Sequence, residues 1–260
     1  MIEPGRLVQR DYRIALPDWP EACEGLRIDV VTDTHTGSPR NGLDNVDRWV
    51  GQVAAGDADV VLLAGDYVIL KVLAGRYIPA DRIGPRLHPL TSRKQAYGVL
   101  GNHDWWKGGR RVSAAFSRAG VRMLDNANTV VQVGACRFAL VGIDDPMAGH
   151  PDVPRAMAGV DPALPLLVLT HEPSYWPNVP ANALLTVTGH THGGQINPFG
   201  LLTPSRYVSH SHQLRGVYAQ DGRKLFVGPG IGTSILPMRL GVPPEISRLS
   251  LHRQRESPAE

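Results

Sequence analysis

The sequence predicts an α/β fold in which helices cover a mostly parallel β-sheet. Short runs of consecutive apolar residues, rich in Val, Ile and Leu, are typical of strands that are buried on both faces. Segments with helical apolar spacing lie between several of these runs, an order that favours parallel strands connected by helices. The 260-residue length and the 42% hydrophobic content fit one sizeable core, so we predict a single domain over residues 1–260.

The predicted strands differ in their apolar patterns. Continuous apolar runs occur at Leu26–Thr32, Ala58–Ala64, Ala96–Leu100, Phe138–Ile143, Leu164–Thr170, Leu184–Thr188 and Lys224–Val227. Thr129–Val133 and Cys136–Ile143 flank Gly134, which predicts a hairpin. Glu245–His252 alternates apolar and polar residues, which predicts an edge or half-exposed strand.

Two segments are predicted helices. Leu43–Ala55 follows an Asn/Gly turn and carries apolar residues at helical spacing. Gly109–Ala119 has the same spacing and stops before Gly120, a residue type that commonly ends helices. In a parallel sheet of this kind, functional residues are expected just after the carboxyl ends of the strands.

Polar motifs follow five of the predicted strands. They are Asp33-Thr34-His35, Gly65-Asp66, Gly101-Asn102-His103-Asp104, Thr170-His171-Glu172 and the GHTHGGQ segment at 189–195. Each motif alone is typical of an ordinary loop or turn. Because one parallel sheet brings the carboxyl ends of its strands to a single edge, we expect the motifs to converge there.

The side chains in these motifs are those of a metal site. Carboxylates, imidazoles and one carboxamide, without thiolates, suit manganese, iron or zinc. The candidate ligands are Asp33, His35, Asp66, Asn102, His171, His190 and His192. A closed structural zinc site needs four ligands, so seven fit two neighbouring ions better. Asp66 is the candidate bridge, because a shared carboxylate lets two ions approach to roughly 3.5–4 Å.

The five motifs, in this order, resemble the signature of the calcineurin-like metallophosphoesterase superfamily over nearly the whole chain. GNHDWW, GHTHGGQ and the tail GIGTSILPMRLGVPPEI are most similar to the bacterial branch of YkuE-type and YaeI-type phosphodiesterases. Thr32 and Thr34 stand where relatives usually carry Ser and Leu, but neither position is a ligand in the family. The resemblance implies two packed mixed β-sheets flanked by helices, a four-layer αββα sandwich.

The resemblance also implies how the candidate residues are shared between two divalent ions. It assigns one ion to Asp33, His35, Asp66 and His192. It assigns the other ion to Asp66, Asn102, His171 and His190. It further implies that His103 is catalytic and lies near the phosphoryl group, with Asp104 hydrogen-bonded behind its ring.

The predicted function is hydrolysis of a phosphate ester or anhydride by attack of a metal-bound hydroxide, as a phosphodiesterase or pyrophosphohydrolase. The expected cofactors are two Mn, Fe or Zn ions, and the expected substrate is a small-molecule phosphate ester or a nucleotide-sugar or lipid pyrophosphate. A non-catalytic scaffold of the same fold that binds a partner protein is the alternative. A metallo-β-lactamase-type hydrolase is disfavoured, because Gly193-Gly194-Gln195 follows His192 where that family continues with Asp-His.

Composition and charge narrow the expected partners and location. The net charge is +3 without a Lys/Arg run, so no nucleic-acid partner is predicted. Cys23 and Cys136 are far apart and lack a CxxC partner, which favours reduced thiols and a cytoplasmic protein. The N-terminus lacks a leader pattern, and no apolar run approaches the roughly 20 residues of a membrane span. Two apolar segments, Ile69–Ile78 and Ile235–Leu240, leave peripheral contact with a membrane open.

Several further residues are weaker candidates for the substrate side. Trp105 and Trp106 follow the third motif and would either line a substrate pocket or serve as packing residues on the following helix. Arg110 and Arg111 would either contact a phosphate or form a solvated face, and we favour the second interpretation. Loop positions after the GHTHGGQ motif are candidates without assigned roles, namely Arg206, His210 and His212. The sequence identifies neither the metal, the substrate nor the oligomeric state.

Overall fold

The computed structural model describes residues 3–197 and 212–254, which form two mixed six-stranded β-sheets with helices against their outer faces. The strands are β1 (Val8–Leu16), β2 (Leu26–Val31), β3 (Val60–Leu63), β4 (Gln95–Gly98), β5 (Arg122–Met123), β6 (Ala127–Val133), β7 (Cys136–Gly142), β8 (Leu166–Leu169), β9 (Ala183–Thr188), β10 (Gly216–Gln220), β11 (Arg223–Val227) and β12 (Glu245–Arg253). The α-helices are α1 (Leu43–Ala55), α2 (Ala80–Ile83), α3 (His88–Thr91), α4 (Asn102–Trp106), α5 (Gly109–Arg118) and α6 (Val153–Met157). Short 3₁₀ helices cover Glu3–Gly5, Glu21–Cys23, Gly84–Leu87, Pro173–Asn178 and His192–Gly194.

The two sheets have different strand orders but a similar mixed character. The first sheet has the order β1-β12-β2-β3-β4-β5, in which only β12 and β2 pair antiparallel. The second has the order β10-β11-β9-β8-β7-β6, with antiparallel pairs at its two ends. The strands that precede the polar motifs are parallel to one another within each sheet, β2, β3 and β4 in the first and β8 and β9 in the second, which places the motifs at one end of the sandwich.

Three apolar clusters define the layers of the fold. The largest contains side chains of both sheets, such as Ile28 and Leu62 from the first and Phe138 and Leu169 from the second. A second cluster joins the first sheet to α1 and α5, and a third lies on the outer face of the second sheet with α6. This arrangement is the predicted four-layer sandwich. Across 3–197 and 212–254, no helix is both long enough and apolar enough to cross a bilayer.

The predicted strands and both predicted helices are present, but one strand lies in a different place from that expected. Glu245–Arg253 is an inner strand, paired on one side with β1 and on the other with β2. The prediction of an edge strand is therefore wrong. Its polar residues are buried with partners: the Arg248 guanidinium, for example, donates to both oxygens of Asp29. The sequence analysis missed β1, β5 and β10, and β1 covers the side of β12 that seemed free.

The two cysteines form a disulfide, which corrects the prediction of reduced thiols. Cys23 lies just before β2 of the first sheet, and Cys136 begins β7 of the second. Both residues are buried in the core between the sheets, so the bond joins the two halves of the sandwich. Structural disulfides are typical of oxidising compartments and rare in the cytosol. The cytoplasmic location therefore stays a prediction, and this bond argues against it.

Candidate metal centre

All seven candidate ligands lie at the motif end of the sandwich, and both sheets contribute to the cluster. Loops after β2, β3 and β4 supply Asp33, His35, Asp66 and Asn102, and loops after β8 and β9 supply His171, His190 and His192. Three groups of side chains have potential ligand atoms within 4.8 Å of one another, and together they contain every candidate carboxylate and imidazole. The expectation of a single sheet edge is wrong, because the cluster straddles the ends of two packed sheets.

The first group, here called the first subsite, contains Asp33, His35 and His192. The Nε2 atoms of the two histidines are 3.0 Å apart. Asp33 Oδ1 lies 3.4 Å from His192 Nε2 and 3.9 Å from His35 Nε2. One carboxylate oxygen and two imidazole nitrogens therefore face a common point, which is the donor set of a borderline or hard cation.

Local hydrogen bonds fix which oxygen of Asp33 is free. Its Oδ2 accepts from the Thr32 hydroxyl at 2.7 Å and from the His190 backbone amide at 2.9 Å. Its Oδ1 is buried and has no hydrogen-bond partner. A buried carboxylate oxygen without a partner is costly, and a bound cation would satisfy it.

The second subsite contains Asp66, His171 and His190, with Asn102 beside them. His190 Nδ1 lies 3.3 Å from His171 Nε2, and Asp66 Oδ2 lies 3.4 Å from the same His171 nitrogen. The Oδ1 atom of Asn102 is buried without a hydrogen-bond partner, like Asp33 Oδ1. The next residue, His103, donates its backbone amide to Asp66 Oδ1 at 2.9 Å, which keeps this turn against Asp66.

Asp66 connects the two subsites through one oxygen atom. Its Oδ2 is 3.5 Å from His35 Nε2 in the first subsite and 3.4 Å from His171 Nε2 in the second. This is the position that a bridging carboxylate needs between two adjacent ions. The fit supports the sequence-based choice of Asp66 as the shared ligand.

Backbone carbonyls orient two of the imidazoles. His171 Nδ1 lies 2.7 Å from the Ala64 carbonyl oxygen, and His35 Nδ1 lies 3.3 Å from that of Val68. A carbonyl oxygen only accepts, so each Nδ1 carries a hydrogen, and in the neutral form of the ring each Nε2 has its lone pair toward the cluster. Metal-binding histidines are commonly fixed in this way.

Glu172 is a functional candidate that the sequence analysis did not select. Its Oε2 lies 2.7 Å from His190 Nε2, and its Oε1 accepts from the Ser174 amide at 3.1 Å. The carboxylate therefore holds the outer nitrogen of His190 and turns Nδ1 toward His171. The sequence did contain a signal for Glu172, because it directly follows His171, the residue of that motif that was selected as a candidate ligand.

Five of the seven candidate ligands have a left-handed backbone conformation. The φ angles are positive at Asp33, His35, Asp66, His190 and His192, with values between 38° and 69°. Positive φ is uncommon for residues other than glycine, and such strain concentrates at functional sites. The glycines of the motifs allow close approach: a Cβ on Gly65 would lie 2.6 Å from the Gly101 nitrogen and 2.8 Å from His171 Nδ1.

Burial keeps the imidazoles of the first subsite neutral. It lowers the pKa of His35 to about 3, and the nearby His103 adds to that effect. It also holds the pKa of His192 well below its usual value, with a further contribution from His35. Neutral imidazoles are the form that binds metal ions.

The carboxylates of the two subsites differ in their electrostatic surroundings. Burial raises the pKa of Asp33 to about 6, and the charge of His171 opposes this effect. Burial would also raise the pKa of Asp66, but electrostatic interaction with the His171 and His103 rings holds it well below its usual value. Asp66 thus remains an anion within the cluster.

His103 lies beside the cluster, but Asp104 does not hold its ring. His103 Nδ1 accepts from the Leu70 backbone amide at 3.2 Å, which leaves Nε2 as the hydrogen-bearing atom of the neutral ring. That Nε2 is 4.0 Å from Asp66 Oδ2. Asp104 instead accepts from four backbone amides, those of Asp66, Tyr67, Val68 and Gly101. The expected Asp104–His103 pairing is therefore wrong, and Asp104 is a positioning residue for the loop that carries Asp66.

The weaker substrate-side candidates fall into different environments. Trp105 packs on the helical cluster and donates from Nε1 to Asp144 at 2.7 Å, so it is a packing residue. Trp106 is 49% exposed, and its ring centroid lies 5.5 Å from that of His103, which places it at the rim of the centre. Arg111 forms an ion pair with Asp81 on an exposed face, in agreement with the favoured interpretation of a solvated face. Arg110 and His212 are exposed, and Arg206 and His210 lie outside the described residues.

Comparison with known proteins identifies the family. A model of the calcineurin-like phosphoesterases matches residues 26–194, which contain all seven candidate ligands. The chain belongs to this family. The phosphodiesterase YaeI of Escherichia coli K12 is 31% identical over 205 residues, which cover 74% of this chain and 70% of that protein. YkuE of Bacillus subtilis, an uncharacterized metallophosphoesterase, is 25% identical over 258 residues, 96% of this chain and 87% of that protein.

Other relatives of this calcineurin-like phosphoesterase are longer. An uncharacterized metallophosphoesterase of Helicobacter pylori J99 is 29% identical over 237 residues, and the match spans only 60% of its length. Among solved structures, the sulfate thiohydrolase SoxB of Thermus thermophilus superposes with a TM-score of 0.51 at 14% identity, over 84% of this chain and 53% of that one. That likeness supports the fold alone. The family consists of metal-dependent hydrolases, and the clusters described above contain side chains that could hold a metal ion.

Proposed function

We propose that this calcineurin-like phosphoesterase hydrolyses a phosphodiester or pyrophosphate of a small molecule at a centre of two divalent metal ions. The observation that carries the proposal is the position of Asp66 Oδ2, within 3.5 Å of an imidazole nitrogen from each subsite. One carboxylate oxygen shared by two donor groups fits a pair of adjacent ions better than one ion.

The donor atoms divide naturally between the two ions. Asp33 Oδ1, His35 Nε2 and His192 Nε2 would hold the first ion, and Asn102 Oδ1, His171 Nε2 and His190 Nδ1 the second, with Asp66 shared. The buried, unpartnered oxygens of Asp33 and Asn102 support this division. When bound, such ions polarise a phosphate ester and lower the pKa of coordinated water toward about 7. Mn, Fe and Zn all suit this donor set.

His103 would act on the phosphoryl group rather than on the metals. With Nδ1 bound to the Leu70 amide, its Nε2–H points toward the cluster, 4.0 Å from Asp66 Oδ2. A donor at that place would stabilise negative charge on a phosphoryl oxygen or protonate a leaving group. The Leu70 amide fixes the tautomer that this role requires.

The substrate class is inferred from the site and from relatives. The name of the YaeI relative supports a phosphodiesterase activity, and the two-metal arrangement fits a pyrophosphate equally well. Nucleotide-sugar and lipid pyrophosphates are the small-molecule candidates. The alternative of a non-catalytic scaffold loses support, because all seven donor side chains are present and gathered in the structure.

The proposal is tested by removing and restoring the metal. Purified protein would be stripped with a chelator, reconstituted separately with Mn, Fe or Zn, and assayed on a bis-aryl phosphate, an aryl monophosphate and a nucleotide-sugar. We expect activity on the diester or the pyrophosphate that disappears on stripping and returns with about two ions per chain. Full activity after complete stripping, or none with any metal on any substrate, would refute the proposal.

A further inference from the structure

Two loops beside the metal centre carry a set of exposed apolar side chains. Leu73 is 67% exposed and Ile235 is 57% exposed, the largest exposed fractions among the large apolar residues described. We call the set the rim surface, and it consists of Leu70, Leu73, Tyr77, Ile235, Leu236 and Leu240. Single exposed apolar residues need no explanation, but a contiguous group of them marks an interaction site.

Hydrogen bonds join the two loops into one surface. The Leu73 amide donates to the Ile235 carbonyl at 3.1 Å, next to a parallel bridge between Val72 and Ile235. Gln195 ties the second loop to the GHTHGGQ motif, because its Nε2 donates to the carbonyl of Leu236 at 3.0 Å. The Leu240 amide in turn donates to the Gln195 carbonyl at 3.0 Å. The segments that carry Leu73, Ile235, Leu236 and Leu240 are therefore tied together by these hydrogen bonds.

The rim surface adjoins the catalytic side of the centre. Leu70, its first member, donates its amide to His103 Nδ1 at 3.2 Å. Trp106, 49% exposed, also lies beside the His103 ring, with the ring centroids 5.5 Å apart. A molecule or membrane that covers the rim surface would therefore bring the polar groups at its edge close to the metal centre.

The two loops that carry the rim surface contain basic but no acidic residues, and Glu3 is an acidic contact to them, which accepts from the Val242 amide at 3.3 Å at the end of the second loop. Residues 67–80 and 234–244 contain no Asp or Glu. Lys71 and Arg76 are exposed within the first loop, and Lys107 places its Nζ 4.9 Å from the centroid of the Tyr77 ring. Exposed aliphatic side chains among Lys and Arg are typical of segments that lie in the interface of anionic membranes.

The composition favours a bilayer over a protein partner. Protein interfaces are enriched in aromatic residues and depleted of lysine, particularly at their centre. The most exposed members of the rim surface are instead aliphatic, Leu73 and Ile235, and Lys71 lies between Leu70 and Leu73 in the same loop.

We propose that the rim surface docks this enzyme onto an anionic lipid bilayer, with Leu73 and Ile235 inserted at the boundary between headgroups and acyl chains. Lys71, Arg76 and Lys107 would then contact lipid phosphates, and the metal centre would face the polar layer of the membrane. That the docked centre acts on lipid-borne phosphates rests on the function proposed above, whereas the docking itself does not.

Co-sedimentation with vesicles tests the docking. The intact chain would be mixed with vesicles of phosphatidylglycerol and phosphatidylcholine, and separately with pure phosphatidylcholine vesicles. We expect binding to the anionic vesicles and at least tenfold weaker binding to the neutral ones. The double variant Leu73→Ser/Ile235→Ser should lose at least tenfold in affinity for anionic vesicles. The matched control is Val130→Ser/Val217→Ser, which changes two apolar residues of β6 and β10 that are 44% and 40% exposed. This control should bind like wild type.

Three results would overturn the proposal. The wild type would remain in the supernatant with anionic vesicles, or the control pair would weaken binding as much as the rim pair. Alternatively, light scattering would show that the protein is a dimer in solution and that only the Leu73→Ser/Ile235→Ser variant is a monomer. The rim surface would then bind a second copy of the chain. Hydrolysis of a soluble diester is measured in parallel: normal turnover without vesicle binding refutes the docking alone, and vesicle binding without turnover refutes the proposed function alone.

Discussion

The two subsites of the centre are built from similar side chains but are held in different ways. In the first subsite the Val68 carbonyl lies 3.3 Å from His35 Nδ1 and the Thr32 hydroxyl donates to Asp33. A cation stands behind the third ligand, because the buried Arg239 guanidinium lies 3.4 Å from His192 Nδ1. In the second subsite an anion stands behind the imidazole, because the Glu172 Oε2 atom lies 2.7 Å from His190 Nε2. The two subsites are almost equally buried, with His192 8% and His190 9% exposed, so they differ in the sign of the charge behind these rings rather than in access to solvent.

His103, 12% exposed, and Trp106 lie at the rim, where a phosphate would enter. Asp66 is the element that both subsites share, so changes there should affect both at once. The predictions below separate the subsites from each other and from the catalytic side chain.

The largest effect is expected from Asp66→Asn. The variant keeps the shape of the side chain but removes the anion that faces His35 and His171. We expect both ions to be lost and turnover to disappear, measured by elemental analysis and a diester assay on the same preparation. Asp221→Asn, in the β10–β11 turn, is the control for loss of one acidic charge. An Asp66→Asn protein with two ions per chain would contradict the shared-ligand role.

The next largest effect is expected from His103→Ala. The ring accepts from the Leu70 amide and has a nitrogen within 4.8 Å of ligand atoms of His35 and Asp66, but both proposed donor sets are complete without it. We therefore expect metal content to stay at the wild-type value while kcat falls by about 10²–10⁴, the usual contribution of a positioned acid–base group. His88→Ala, on an exposed helix, is the matched control. Unchanged kcat on an unactivated diester would contradict the role.

A smaller and selective effect is expected from Glu172→Ala. Without the carboxylate, His190 loses the partner that turns Nδ1 toward His171. Loss of such a support typically weakens metal affinity by about 10–100-fold, and only the second subsite should be affected. The variant would be titrated with Mn²⁺ and followed by electron paramagnetic resonance. We expect the signal of a single bound ion over a wide range of Mn²⁺ concentration before the signal of two coupled ions appears. Glu172→Gln, which can still accept a hydrogen bond, should restore part of the affinity.

Equal weakening of both subsites in Glu172→Ala, or none in either, would contradict the difference drawn between them. An equal loss would mean that Glu172 maintains the general structure of the loop. No loss would mean that the 2.7 Å contact with His190 Nε2 is not needed to orient the ring.

The smallest effect on activity is expected from removing the disulfide. The bond between Cys23 and Cys136 lies in the core, away from the metal centre, and closes a separation of 113 residues. The variant Cys23→Ala/Cys136→Ala should lose about 2–5 kcal/mol of unfolding free energy in urea and retain its metals. Since these are the chain's two cysteines, denatured wild-type protein should show no free thiol without reductant. Two titratable thiols would contradict the bond.

The candidate ligands could be predicted from the sequence because each one directly follows a recognisable buried strand. Asp33, Asp66 and His171 come within two residues of the ends of apolar runs, and a sheet needs only its topology to bring such positions together. The supports could not be predicted in the same way. The Leu70 amide on His103 and the left-handed backbone at Asp66 depend on loop geometry, which apolar patterns do not determine.

The errors in the fold have a common physical cause, which is pairing between distant segments. The alternation in Glu245–His252 indicated a free edge, but β1, a mostly polar strand, covers that side. Cys23 and Cys136 show no local pairing pattern, because the packing of one sheet on the other brings them together. The pairing of Asp104 with His103 was inferred from adjacency along the chain, whereas its carboxylate reaches back to the β3 loop.

The most direct test of the central claim is to locate the metals. Crystals of the protein loaded with Mn²⁺, measured at a wavelength with strong anomalous scattering, would give the ion positions independently of any assay. We predict two peaks, about 3.5–4 Å apart, one on each side of Asp66 Oδ2. A single peak, or two peaks that do not share Asp66, would contradict the account.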